Sequence, residues 1–179
     1  MAESGDGGAR TAAKIAEFDA LHPWYAWVRD YLRDCAAGKK LAGRRDIDPF
    51  CFGPNLHLVN LVDVVRADGE MRFRFRLVGT TQTTMAKREI TGRFVEDAVL
   101  PGFVERIKAN MRAAVDLAAP IYDRFPMPHP ERDFIDSERV YFPMASDGEN
   151  VDMLLIACGY PNVAALAPRL PQGWTARSA

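Results

Sequence analysis

At 179 residues, 48% hydrophobic and 26% charged, the chain has the composition of one globular domain, long enough to bury a core without cross-links. A formal charge of −1 gives no general attraction to nucleic acid or to anionic membranes. Three scattered cysteines, Cys35, Cys51 and Cys158, form no CxxC or Cys/His cluster, so neither a disulfide framework nor a metal site is expected.

In chain order, the N-terminal MAESGDGGAR (1–10) is polar, lacks the apolar segment of a signal peptide and is expected to be disordered. No run reaches the length of a membrane span, so the expectation is a cytoplasmic chain without membrane insertion. Residues 11–40 read as an N-terminal helical segment, with Pro23 at the first turn of its second half. There Trp24, Trp27, Val28, Tyr31 and Leu32 make a large apolar stripe that something must cover. One cover is the reverse face of a sheet, through Val59, Leu61 and Val65. The other is the same helix of a second copy, which makes Trp24, Trp27 and Tyr31 candidates for a homodimer interface. A basic linker then leads to Asp48, which can cap a helix begun by Pro49.

Asp68-Gly69 and Asp147-Gly148, each between apolar runs, predict two hairpins closed by two-residue turns with positive φ. Counting outward from the first pairs Val64 with Phe73, Asp63 with Arg74, Val62 with Phe75 and Asn60 with Leu77. Val62, Val64, Phe73, Phe75 and Leu77 then share a core face, opposite Asp63, Arg72, Arg74 and Arg76. Between the hairpins, the Thr-rich residues 80–99 read as short helices and turns. Residues 102–118 read as a helix with Phe103, Ile107, Met111, Ala114 and Val115 on one face, stopped by Pro120. The prolines of 119–128 suggest a short edge strand, and 129–136 a charged loop. Counting from the second turn pairs Phe142 with Met153, Met144 with Val151 and Val140 with Leu155 on an apolar face. The reverse face, Arg139, Tyr141, Pro143, Asp152, Leu154 and Ile156, is mixed. One apolar face per hairpin predicts an antiparallel sheet covered mainly on one side. The Pro-rich 161–179 is expected to be a loose tail.

Taken in order, RRDIDPF (44–50), LVNLVDVV (58–65), FRFRLVGT (73–80), REITGR (88–93) and VYFPMASDGENVDMLL (140–155) resemble the single-domain bacterial PAS family. In that family a leading helix ends in a basic-DIDP segment, and a strand reading fRyRlvGT is followed by ltGr. The resemblance implies an α+β fold, with a PAS domain over 41–160: a five-stranded antiparallel sheet with helices on one face, and an N-terminal helix. It also implies a non-catalytic sensory module that binds a small ligand, a signalling protein such as a histidine kinase, or both.

The residues that would line a cavity are Phe73, Phe75, Met85, Phe103, Ile107, Met111, Tyr122, Phe142, Met153 and Leu155, which equally suit a filled core. The second strand of such a sheet lies at an edge, where Arg72, Arg74 and Arg76 would discourage wrong pairing or meet an acidic partner. That strand would stop at Val78-Gly79 as the chain turns under the sheet. Thr80, Thr81, Thr83 and Thr84 would then serve as caps, and Thr91-Gly92 as the next tight turn. The cofactor is unknown. Haem is disfavoured because 102–118 holds no histidine, while His22, His57 and His129 read as surface or capping residues. Flavin and photoactive-yellow-type chromophores are disfavoured because 80–93 holds no cysteine and Cys158 falls in the last strand. Two alternatives stay open: an interaction scaffold without ligand, and a cone-fold isomerase-like enzyme with Asp123, Asp133 or Asp152 as its acid. Asp46 and Asp48 look paired, but Asp48 is explained as a cap. No GxSxG elbow and no Walker or dinucleotide glycine pattern occurs.

Overall fold

A computed structural model describes residues 21–127, 129 and 131–175. The expected disorder of 1–10 and the first part of the leading helical segment lie outside the described residues. Helix α1 (Pro23–Ala36) starts where Pro23 presets φ and the His22 ring accepts a hydrogen bond from Trp24 N (3.1 Å). Helical spacing aligns Trp24, Trp27 and Tyr31. Trp24 stacks on Trp27 at 5.2 Å and Trp27 on Tyr31 at 5.3 Å, with the Phe52 ring edge-on to all three. This ladder packs on one face of the chain's own sheet, against Val59, Leu61, Val140, Phe142, Met153 and Leu155.

Of the two covers the stripe could have, the structure thus shows the intramolecular one. Trp24 is 0% exposed and Trp27 7%, so neither side chain is offered to a second copy. The linker holds the helix in place: the Tyr31 hydroxyl donates to Asp48 O (2.9 Å) and accepts from Asp48 N (2.7 Å). Asp48 Oδ1 in turn accepts from Phe50 N (3.0 Å), capping the 3-10 segment Pro49–Leu58 as the Asp-Pro pair predicts.

The sheet has five antiparallel strands: β1 (Val59–Ala67), β2 (Glu70–Leu77), β3 (Ile121–Pro126), β4 (Asp136–Met144) and β5 (Met153–Gly159), in the order β2-β1-β5-β4-β3. Helices α2 (Thr80–Ala86), α3 (Val95–Ala98) and α4 (Pro101–Leu117) share a core with the face opposite α1. Five antiparallel strands, β2 and β3 at the edges, with α2–α4 over one face and α1 over the other, make a PAS-like α+β fold. The outer edge of β2 is partly occupied: Gly92 N donates to Phe75 O (2.6 Å) and Phe75 N to Arg93 O (2.9 Å).

The first hairpin has the register expected. Asp68 (φ +52°) and Gly69 (φ +79°) form its turn, and Val62, Asp63 and Val64 face Phe75, Arg74 and Phe73. Register shifts between Leu61 and Val62, so Leu77 faces Leu61 rather than Asn60 and is 40% exposed. The Asn60 side chain has another task there: its Oδ1 accepts from Gly79 N (2.8 Å) and bends the chain out of the strand. Only glycine fits at 79, because a Cβ would overlap the carbonyl oxygens of His57 and Val59. Gly79 itself is the N-cap of α2 and no threonine side chain caps that helix; Thr81 instead bonds the His57 ring (2.5 Å).

The second hairpin departs further. Met144 faces Met153, Phe142 faces Leu155 and Val140 faces Ala157, so residues 145–152 form a longer loop than a two-residue turn. The cause is local side-chain bonding. Asp147 Oδ1 accepts from Glu149 N (2.9 Å) and Asn150 N (2.8 Å), while Gly148 N closes back on Ala145 O (3.1 Å). A further correction concerns the faces. Phe142, Met153 and Leu155 lie under α1, whereas Phe73 and Phe75 face α2–α4, so the sheet is buried on both sides. Among the described residues, the chain after Pro161 has contacts that the expected loose tail lacks. Asn55 Nδ2 donates to Arg169 O (2.5 Å), Arg169 N donates to Asn55 Oδ1 (2.8 Å), and Trp174 packs against the α1 core.

Candidate functional site

The inner face of the sheet and the segments above it leave a cavity of about 70 Å³, several times what one water needs. Its floor is the inward side chains of β1, β2, β4 and β5: Asn60, Phe75, Arg139, Tyr141 and Ile156. Gln82 and Ala86 of α2, Arg88 and Ile90, residues 98–100, Ile107 and Met111 of α4, and Met127 with His129 complete the walls. The lining is largely apolar and includes no carboxylate.

Its polar groups are few and tightly placed. Asn60 ties β1 to the start of α2 through Gly79 and donates to Cys158 Sγ (3.2 Å). Gln82 Oε1 accepts from the Tyr160 hydroxyl (3.1 Å). The guanidinium of Arg88 donates to the Ala98 carbonyl. His129 Nδ1 accepts from Glu131 N (3.2 Å), consistent with a capping role.

Arg139 is 5% exposed, and its guanidinium lies over the Phe125 ring (4.4 Å) and beside the Cys158 thiol. One of its terminal nitrogens has no hydrogen-bond partner. Two positions along β4, the Tyr141 hydroxyl is fully buried and also unpartnered. Burial pushes its pKa up to about 12, opposed by the nearby Arg139 charge. Asn110 lies close enough to oppose the shift too, but no hydrogen bond of ordinary geometry joins it to the phenol, and its Oδ1 stays unpartnered. Burial likewise raises the Cys158 thiol, with Arg139 pulling the other way.

Of the cavity candidates named from sequence, Phe75, Ile107 and Met111 line this space. Phe73 lies in the same core, and Met85 and Phe103 pack against it. Phe103 stacks on Phe125 at 5.7 Å, and Met85 receives the Arg132 guanidinium. Tyr122, Phe142, Met153 and Leu155 are on the α1 side, away from the cavity, with Tyr122 donating to Glu138 (3.0 Å). Arg74 and Arg76 both reach Asp63 (3.1 and 3.3 Å), and Arg72 lies over the Phe94 ring (3.8 Å).

None of the candidate acids lines the cavity. Asp123 receives Arg106 Nε (2.7 Å), Arg106 Nη2 (2.5 Å) and Asn110 Nδ2 (2.7 Å). Asp152 accepts from Ser146 N, and Asp133 is exposed in its loop. Asp46 is held by Lys39 and by Gly43 N (2.7 Å).

The floor residues missed from sequence are Asn60, Arg139, Tyr141 and Ile156, and for the three on β4 and β5 the signal was present. The unbroken apolar run MLLIACG (153–159) marks a strand buried on both faces, so the mixed face of its partner β4 must also look into a core.

No protein-family model and no curated protein matches this sequence. A sensory box sensor histidine kinase from Vibrio cholerae has a solved structure that is similar over 57% of this chain and 77% of its own, with a TM-score of 0.40 and 11% identity. No helix among the described residues is long and apolar enough to cross a membrane.

Proposed function

We propose that this chain is a non-catalytic sensory module that holds a small molecule between its sheet and helices α2–α4 and passes its occupancy to a signalling protein. The observation that supports the reading best is the cavity itself, with two buried polar groups lacking hydrogen-bond partners on its floor, one terminal nitrogen of Arg139 and the Tyr141 hydroxyl. Unpaired buried polar groups cost stability and are rare unless water, an ion or a ligand completes them. Asn60 and Gln82 give a route outward, because each lines the cavity and helps tie α2 to the sheet: Asn60 of β1 through Gly79, and Gln82 of α2 through Tyr160, just after β5. A ligand that displaced either bond would shift α2 against the sheet, the kind of two-arrangement element a sensor needs. None of the candidate acids lines the cavity, so no carboxylate stands there as a general base, which favours binding over catalysis.

Native mass spectrometry of the purified full chain tests this. The expected spectrum carries a second, heavier species that collapses to the polypeptide mass on denaturation. A single unliganded mass, with no small molecule able to raise the melting temperature, would refute it.

A further inference from the structure

The floor of the cavity holds a buried cation without an anion. Guanidinium groups stay protonated in proteins, so Arg139 is charged wherever it sits. Burying that charge is costly unless an opposite charge accompanies it. Among the described residues no carboxylate forms an ion pair with Arg139.

The nearest acid by register is Asp123, directly opposite Arg139 on β3. Its two oxygens are already taken by two Arg106 nitrogens and by Asn110. Arg106 and Arg139 also share the Phe125 ring, at 5.0 and 4.4 Å, so two cations and one carboxylate occupy one neighbourhood. Glu138 cannot help, because it points to the other face, towards Tyr25 and Tyr122. Water could satisfy the free hydrogen-bonding atoms of Arg139, Tyr141 and Asn110 but would not neutralise the charge.

We propose that the cavity takes a small organic monocarboxylate. The carboxylate is held by Arg139 and the Tyr141 hydroxyl, and the apolar body lies against Phe75, Ile107 and Met111. The inference rests on the ligand-binding reading above and narrows it to a chemical class. A planar fork suits a carboxylate, and a phenol that is kept protonated can donate to it. Arg88, the other guanidinium of the lining, is exposed to solvent and turned to the Ala98 carbonyl, so the buried floor carries one guanidinium, which balances one negative charge and not the two of a phosphate.

Calorimetric titration of the full chain, freed of any co-purified molecule, provides the test. The probes are the straight-chain carboxylates from acetate to octanoate and benzoate, each beside its own amide, and inorganic phosphate. At least one carboxylate is expected to bind about tenfold or more tightly than its amide. Arg139→Met should abolish that preference while keeping or raising the ligand-free melting temperature, since it removes an uncompensated charge. Should that variant fail to fold, Arg139→Lys keeps the charge but not the fork, and should still weaken the carboxylate selectively. Tyr141→Phe should weaken it severalfold.

Equal binding of acids and amides overturns the carboxylate while leaving the sensory reading intact. Binding of phosphate alone overturns it in favour of a different anion. No binding by any probe, with Arg139→Met strongly destabilised, makes Arg139 a water-bridged structural residue and sinks the proposal. If the chain as purified also carries no ligand, the sensory reading fails with it.

Discussion

Replacing Trp27 by alanine removes the middle ring of the α1 ladder. Trp27 is 7% exposed, stacked between Trp24 (5.2 Å) and Tyr31 (5.3 Å) and met edge-on by Phe52 (5.5 Å). Truncating a buried aromatic costs about 3–5 kcal/mol in transfer and cavity terms. The three ring contacts, worth about 0.5–1.5 kcal/mol each beyond burial, place the loss at the upper end of that range. A domain of this size has about 5–15 kcal/mol in all, so the variant should be folded but close to its limit. Urea unfolding followed by circular dichroism should show a lower midpoint with an unchanged slope. Phe50→Ala is the control: Phe50 is 86% exposed, and the change should stay within about 0.5 kcal/mol. Because Trp27 is covered by its own chain, the Trp27→Ala midpoint should not depend on protein concentration. A loss under about 1 kcal/mol would contradict the burial of Trp27, and a midpoint that moves with concentration would show that the stripe is covered by a second copy instead.

Other outcomes follow from single contacts. Gly79→Ala would drive a methyl group into the His57 and Val59 carbonyls and should cost about 1–3 kcal/mol or more, read as a fall in melting temperature. Arg106→Ala leaves the Asp123 carboxylate buried with Asn110 as its remaining side-chain donor, and should cost about 1.5–3 kcal/mol in the same urea assay. Burial raises the pKa of all five tyrosines, Tyr141 to about 12 from an ordinary 10.0. A raised folded pKa means that the folded state holds the proton more tightly. Its stabilising effect is complete below pH 10 and is lost as pH climbs through about 12. Tyrosinate absorbance should therefore appear together with loss of circular dichroism. Tyrosinate forming near pH 10 in a still-folded chain would contradict the burial.

How far sequence reasoning reached depended on whether local chemistry or long-range pairing decided the point. At Asp68-Gly69 both turn residues take positive φ, nothing nearby competes, and counting outward placed Val62, Val64, Phe73 and Phe75 on the correct face. Pro23, Asp48-Pro49, Pro101 and Pro120 likewise marked where helices begin or stop. At Asp147-Gly148 the same dipeptide misled, because the Asp147 carboxylate bonds the backbone of 149 and 150 and opens the turn into a longer loop. That error kept the parity, so Phe142 and Met153 were still grouped on one face.

Which core that face belonged to was another matter. It is set by β1 pairing with β5, Val62 opposite Leu154, a contact between distant segments that no turn reports. Phe142, Met153 and Leu155 were therefore assigned to the cavity, and Arg139 and Tyr141 to the reverse face, with the two sets exchanged. A sheet with one apolar face per hairpin allows either choice. The doubly buried run at 153–159 was the sign that both faces were covered.

A high-resolution crystal structure of the full chain, as purified, addresses the cavity most directly. Density too large and continuous for water should lie between Phe75, Met111 and Ile107, in contact with Arg139 and Tyr141. Separate, spherical water peaks bridging Arg139, Tyr141 and Asn110, and nothing else in that space, would show an internal hydrated core and not a binding site.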